Sequence, residues 1–211
     1  SSYFYGIAAN PSSTNPRDRR IWEYAWYAIR VANDALDKID AEGLFQGTDE
    51  EKKLIKGQAL FFRAWFYFQI SKFWGGMPYI NRPLSPTESL VTPEFARLNF
   101  QETAKKMAED FKAAADLLPN DWDETEPGKR TLGQNHGRIN KFFALGYLGK
   151  ALLFGASPMM NEEATGSNSY NAELCQQAAQ AFGQLLSLAD QTGLYKMQSW
   201  SNWTDNFWRW N

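Results

Sequence analysis

Apolar residues recur every three or four positions in five segments of the chain, a spacing that is typical of amphipathic helices. In the first segment, residues 21–39, the side chains of Trp22, Trp26, Ile29 and Leu36 fall on one face. The other four predicted helices run over residues 49–73, 100–118, 139–156 and 172–190. No run of strand-like alternation competes with this pattern.

The second predicted helix is apolar on nearly every side. One of its faces carries Ala59, Phe62, Phe66, Ile70 and Phe73. Another face carries Phe61, Trp65 and Phe68. A helix that is apolar all round is normally buried among its neighbours. The pattern therefore predicts that this helix is central, with Phe66 in the core.

Local signals mark where the helices begin and end. Two capping boxes are present, Thr48 with Glu51 and Asn99 with Glu102. In a capping box the two side chains satisfy backbone N–H groups of the first helical turn. Gly75, Gly76 and Pro78 end the second helix, and Pro119 ends the third. The segments 75–93, 120–134 and 161–169 lack a helical period and are interpreted as loops.

These elements predict an all-α chain in which antiparallel helical hairpins stack as an irregular solenoid, similar to tetratricopeptide repeats. The hairpins would recur at a longer interval than the ~34 residues of a regular repeat. We assign residues 1–211 to a single domain. Its predicted parts are a leading loop over 1–20, a first hairpin over 21–73, a second over 99–156 and the start of a third over 171–190.

Composition narrows the possible functions. The chain has 211 residues and a formal net charge of -2, and its sequence pI is about 5.5. This balance disfavours a nucleic-acid binder, which needs a basic surface. A single cysteine, Cys175, forbids an internal disulfide, and a single histidine, His136, leaves few ligands for zinc. We predict no metal site and no cofactor.

Catalytic motifs are scarce. The acidic residues Asp121, Asp123, Glu124 and Glu126 surround Trp122. A pair of carboxylates can hydrolyse a glycosidic bond, so a hydrolase is a minor alternative. Neighbouring carboxylates also arise by chance in a chain with this many acidic residues, and a solvated acidic loop is the simpler interpretation. We assign no catalytic residue.

Aromatic residues make up 16% of the chain and include nine tryptophans. Trp22, Trp26 and Trp65 lie at core spacing and are interpreted as packing residues. The terminal run is different, because it places more large rings in a few residues than a core can bury. It consists of Trp200, Trp203, Phe207, Trp208 and Trp210. We predict that at least one of these rings belongs to a stacking platform.

Several sequence pieces, taken in order, resemble the SusD-like (RagB/SusD) family. They are WEYAW at residues 22–26 with Ala32-Asn33, GQALFFRAWFYF at 57–68, FWGGMP at 73–78, AEDFKAA at 108–114 and GRI at 137–139. Each piece alone is a weak signal, but five in this order and spacing are specific. The resemblance covers residues 20–190 and implies that the chain is the N-terminal helical part of a longer SusD-like fold.

The resemblance implies a cell-surface lipoprotein of the Bacteroidetes outer membrane that binds glycans and passes them to a TonB-dependent transporter of the SusC type. It implies no enzymatic activity. Some members capture peptides instead, which is one alternative; a tetratricopeptide-like scaffold for protein interactions is another. The family's lipid-bearing cysteine lies near the mature N-terminus, and Cys175 in the fifth helix cannot replace it. The lipid anchor therefore rests on resemblance alone.

The resemblance also implies where a ligand would bind. Aromatic residues of glycan-binding relatives lie on a loop just before the first helix, near Tyr3, Phe4 and Tyr5. We predict these three residues, with Trp208 and Trp210 of the terminal run, as ligand-binding residues. The alternative for Tyr3, Phe4 and Tyr5 is that they pack the start of the chain onto the helices.

Overall fold

The computed structural model describes residues 16–41 and 43–203, with side chains from residue 21 onward. These residues form α-helices and short 3-10 turns, and they contain no β-strand, so the all-α prediction is confirmed. The α-helices are α1 (Pro16–Asp40), α2 (Asp49–Trp74), α3 (Phe100–Leu117), α4 (Glu126–Lys129), α5 (Lys141–Gly155), α6 (Pro158–Thr165) and α7 (Ala172–Thr192).

The five long helices pack in chain order. Helix α1 lies against α2, α2 against α3, α3 against α5, and α5 against α7. Each long helix thus contacts the next, as a stack of hairpins requires. Helix α1 begins at Pro16, so residues 16–20 of the predicted leading loop are helical. Proline is well suited to the first turn of a helix, where its missing N–H would have no partner.

Both predicted capping boxes are present. The Thr48 hydroxyl accepts the Glu51 N–H at 3.1 Å, and the Glu51 carboxylate accepts the Thr48 N–H at 2.9 Å. Asn99 and Glu102 make the equivalent pair of bonds at 2.8 and 2.9 Å. These reciprocal bonds fix the first turns of α2 and α3.

Two segments interpreted as loops contain short helices. Residues 120–134 include the 3-10 turn Trp122–Glu124 and α4, and residues 161–169 include most of α6. Thr125 caps α4 by accepting the Gly128 N–H, and Gly166 ends α6 with φ +78°. A helix of one or two turns has too few apolar positions to show a period, which is why the sequence pattern missed them.

The prediction for the faces of α2 was partly wrong. Phe61, Tyr67 and Phe68 are buried, whereas Phe62 is 42% exposed and Phe66 is half-buried at the edge of the core. Because α1 and α3 flank α2, they cover two sides of it and leave a third side open. The face that carries Phe62 and Phe66 lies on that open side.

Small residues allow α5 to approach its neighbours closely. A Cβ atom at Gly149 would lie 2.7 Å from the ring of Phe182 on α7, and one at Gly155 would lie 3.0 Å from the Ala104 methyl on α3. Side chains larger than glycine at these two positions would push α5 away from α7 and α3.

Within the described chain, no single helix is both long and apolar enough to cross a bilayer. Helices α5 and α6 taken together pass that test by length and composition, with a bend of 60° between them.

Candidate functional site

Five predicted ligand-binding residues lie outside the described part of the chain. They are Tyr3, Phe4, Tyr5, Trp208 and Trp210. Their assignment stays a prediction.

Two tryptophans of the terminal run are described and lie side by side. The 3-10 turn Trp200–Asn202 brings Trp200 and Trp203 together, with ring centroids 6.5 Å apart and planes inclined by 19°. Trp200 is 88% exposed and Trp203 is 40% exposed. Two adjacent exposed rings form an apolar patch, and contiguous apolar patches mark interaction sites on protein surfaces. This pair can stack on the flat, apolar face of a ligand.

The Trp22 and Trp26 rings pack at the edge of the core. Their centroids lie 5.5 Å apart in an edge-to-face contact, and each ring meets a ring of α2, Trp74 at 5.1 Å and Tyr67 at 5.7 Å. The interpretation of these residues as packing residues is consistent with the contacts, although both keep some accessible surface.

Trp122 is not accessible to a ligand. It is 3% exposed, its indole N–H donates to the Ile139 carbonyl at 2.7 Å, and the Arg138 guanidinium lies over its ring at 4.0 Å. This tryptophan joins the connection before α5 to the core, and it has no free face for a sugar ring.

Three of the four acidic residues around Trp122, namely Asp121, Asp123 and Glu126, have structural partners. Asp121 accepts the backbone N–H of Asp123, and the Asp123 carboxylate accepts a hydrogen bond from the Asn135 side chain. Glu126 pairs with Lys129 at 2.6 Å, and this hydrogen bond lowers the pKa of Glu126. A glycosidase needs one carboxyl group with a raised pKa to act as the acid, and the Glu126 shift has the opposite sign.

The sequence did not predict the buried polar network between α1, α2 and α3. Arg63 on α2 binds Asp110 on α3 through two nearly parallel hydrogen bonds of 2.6 and 2.7 Å. The same guanidinium donates to the Asn33 side chain on α1 at 2.9 Å, and the Tyr79 hydroxyl donates to Asp110 at 2.7 Å. Helices α1, α2 and α3 therefore meet at one ion pair.

The titration of the network follows from its burial and its charges. Desolvation acts to lower the pKa of Arg63, but the hydrogen bonds and charge of Asp110 outweigh it, and the net shift is upward. Burial, with the Asp110 charge, holds the pKa of Tyr79 well above its usual range. Both groups keep their protons at any physiological pH.

The network also fixes the chain that connects α2 to α3. We call residues 79–86 the crossover segment. The Asn33 amide donates to the carbonyls of Ile80 and Arg82, and Arg63 donates to the carbonyl of Asn81. The Tyr67 hydroxyl accepts the Ile80 N–H at 2.7 Å. The signal in the sequence was a charged residue, Arg63, inside the most apolar helix, since a buried charge needs a partner.

The described residues contain no group of three or more His, Cys, Asp or Glu side chains placed to hold a metal ion. His136 lies exposed in the turn before α5.

Comparisons with known proteins agree on one family. Residues 6–132, more than half of the chain, match the profile of a SusD-like family described as "Starch-binding associating with outer membrane". No curated protein sequence matches the chain significantly.

Solved structures share the fold. A SusD homolog from Bacteroides thetaiotaomicron aligns with a TM-score of 0.67 at 20% identity, over 89% of this chain and 32% of its own length. A SusD-like carbohydrate binding protein from Bacteroides fragilis aligns with a TM-score of 0.62 at 21% identity, over 85% of this chain and 29% of its own length. A laminarin binding SusD-like protein aligns with a TM-score of 0.51 at 20% identity, over 73% of this chain and 30% of its own length.

The chain thus spans about a third of the length of these structures. At such identities the structural similarity establishes the fold, and the family profile establishes the relationship. The chain belongs to the SusD-like family.

Proposed function

We propose that the chain is part of a cell-surface protein that captures oligosaccharides or polysaccharides. The observation that carries this proposal is the match of residues 6–132 to a family described as starch-binding and associated with the outer membrane. Relatives of the same fold that are described as carbohydrate-binding and laminarin-binding support it.

The exposed indole pair is the part of the described surface best suited to a sugar. A pyranose ring has apolar faces that stack on aromatic rings, while its hydroxyls form hydrogen bonds around the edge. Trp200 and Trp203 offer two adjacent, nearly parallel rings for such stacking. We place Tyr3, Phe4, Tyr5, Trp208 and Trp210 in the same role, as a proposal.

Binding of this kind needs no catalytic group. Beside Trp122, Asp121 caps a 3-10 turn and Glu126 is an ion-pair partner, which favours a binding protein over a glycosidase. Delivery of the glycan to a SusC-like TonB-dependent transporter, and attachment to the outer membrane through an N-terminal lipid, complete the proposal by analogy with the family.

Affinity electrophoresis in gels that contain starch or laminarin tests the proposal. We expect the 211-residue chain to be retarded in at least one of them, and Trp200→Ala to reduce the retardation. Ala108→Ser on α3, a conservative change away from the indole pair, serves as the control. Normal migration in both gels would contradict glycan binding, and capture of peptides by the same chain would favour the peptide-binding branch of the family.

One observation favours a second candidate function, a scaffold for protein interactions. A groove of about 570 Å³ runs between α3, α5 and α7. Its α3 wall carries Lys105, Glu109, Lys112 and Asp116, and its α7 wall carries Glu173, Gln177, Gln180 and Gln184. Polar walls of this kind suit a peptide in a helical solenoid. Two results together would establish this function instead: the chain binds neither starch nor laminarin, and it binds a peptide with an affinity that Lys112→Glu lowers.

A further inference from the structure

A second cleft lies beside the crossover segment. It has a volume of about 500 Å³ and lies between α1 and residues 80–86. Helix α1 contributes Trp26, Arg30 and Asp34, which are four residues apart and therefore line one face of the helix. Leu84 and Ser85 contribute to the opposite wall. We call this the crossover cleft.

The cleft is preformed. The hydrogen bonds from Asn33 to the carbonyls of Ile80 and Arg82, and from Arg63 to the carbonyl of Asn81, hold one wall against the other. Asn33 is 2% exposed and Arg63 is 6% exposed, so water does not compete for these bonds. A ligand would therefore meet walls that are already in position, which reduces the entropy lost on binding.

The lining combines an aromatic ring with donors and acceptors. Trp26 is half-buried and leaves part of its indole to the cleft. Arg30 and Asp34 form a loose ion pair, with 3.7 Å between the guanidinium nitrogen and the carboxylate oxygen, and both reach solvent. Because the pair is loose, the guanidinium can donate and the carboxylate can accept hydrogen bonds from a ligand. This combination suits a polyhydroxylated ring.

The charges around the cleft disfavour an anion. Arg30 is paired with Asp34, and Arg82 is paired with both Glu88 and Glu94 at 2.5 and 3.0 Å. Two guanidinium groups are thus matched by three carboxylates. These five groups carry a net charge of −1, which repels a uronate or a phosphate overall, so the cleft is electrostatically suited to an uncharged ligand.

We propose that the crossover cleft is a binding subsite for a neutral glycan, separate from the Trp200–Trp203 pair. This inference rests on the proposed glycan-binding function and names the class of sugar. The volume lies within the range of about 300–1,000 Å³ that small-molecule sites occupy.

Isothermal titration calorimetry with maltoheptaose, laminarihexaose and a trigalacturonate tests the proposal on the full 211-residue chain. Asp34→Ala removes the acceptor at the cleft, and the Arg30→Ala, Asp34→Ala double variant removes both polar groups. We expect Asp34→Ala to weaken the binding of the better neutral oligosaccharide about tenfold, the effect of losing a hydrogen bond to a charged group, and the double variant to weaken it at least as much. Lys129→Ala, which breaks an exposed ion pair on α4, is the matched control and should leave affinity unchanged.

The outcomes separate the two proposals. Wild-type affinity in both cleft variants would overturn the subsite and leave glycan binding in place. Failure of the unaltered chain to bind either neutral oligosaccharide would overturn both. Binding of trigalacturonate as tight as that of the neutral sugars would overturn the neutral class, and an equal loss in Lys129→Ala would show that the effect is not local to the cleft. As an independent measurement, added oligosaccharide should slow hydrogen exchange in a peptide that covers residues 80–86.

Discussion

Two irregular segments of the molecule differ in how they are held. The crossover segment has no regular secondary structure, yet buried side chains of α1 and α2 bind three of its backbone carbonyls and one of its amide groups. The segment after α7, residues 194–203, lies exposed along its length and is joined to the helices at Tyr195, which contacts Asn140 and Phe142. The comparison shows how buried side-chain partners satisfy and fix the backbone of a segment that makes no helical hydrogen bonds.

The largest expected effect comes from the ion pair that supports the crossover segment. Asp110→Ala would leave the Arg63 guanidinium charged and buried, and we expect it to lower the free energy of unfolding by about 3–5 kcal/mol. Urea denaturation followed by circular dichroism measures this change. The exposed pair between Arg130 and Glu51 provides the control, since Arg130→Ala should change stability little.

A double variant sharpens the same test. Replacing Arg63 and Asp110 together with leucine removes both charges, so most of the lost stability should return if the penalty comes from the unpaired guanidinium. Should the double variant be as unstable as Asp110→Ala, the hydrogen bonds to Asn33 and Asn81 would be the main contribution instead.

The next largest effect is a difference in stability between substitutions on the buried and the open face of α2. Phe61 is 2% exposed and contacts Phe111 and Tyr147, so Phe61→Ala should cost about 3–5 kcal/mol through a cavity. Phe66 is half-buried, and Phe66→Ala should cost about half as much. Thermal and urea unfolding of the two variants measure the difference. Equal losses would mean that the open side of α2 is covered in solution.

A moderate loss of stability is expected from a substitution in the turn at the end of α2. A Cβ atom at Gly76 would lie 2.2 Å from the Leu98 carbonyl oxygen, so Gly76→Val must displace backbone and should cost about 1–3 kcal/mol. Gly183→Ala is the control, because no atom lies near its Cβ position and alanine favours the helix. We expect the folded fraction of Gly76→Val to bind glycan with normal affinity. Loss of binding in folded protein would place the turn in the ligand site.

The smallest effect on stability, and the sharpest contrast with the crossover segment, is expected in the terminal segment. Trp200 is largely exposed, so Trp200→Ala should change the melting temperature by no more than about 2 °C. It should nevertheless weaken glycan binding if the indole stacks on a sugar. A large drop in melting temperature without loss of affinity would show that Trp200 packs against the helices.

Periodic features of the fold could be predicted from the sequence. The long helices and both capping boxes follow from local rules, in which residues three or four apart decide the structure. Helix α4 and helix α6 were missed because one or two turns show no period. The open face of α2 was also missed, since periodicity reveals that a face is apolar but not which neighbour covers it.

The functional surfaces were harder to predict because they depend on residues far apart in the chain. Arg63 is separated from Asp110 by 47 positions and from Asn33 by 30. Local patterns give no indication that these side chains meet. The terminal tryptophans were predicted as a platform because they are close in sequence, whereas the crossover cleft joins α1 to a segment about 50 residues later and required the structure.

The carbonyl contacts of Arg97 have a consequence for proteolysis. Trypsin cleaves after arginine and lysine, and it needs the chain around the cleavage site to open locally. Arg97 donates to the carbonyls of Gly76 and Trp74, which holds the end of the α2–α3 connection closed, and Pro83 blocks cleavage after Arg82. Lys196 lies in the exposed segment after α7. Digestion of the native chain should therefore cut at Lys196 well before Arg97, and it would release the aromatic terminus from an intact helical body.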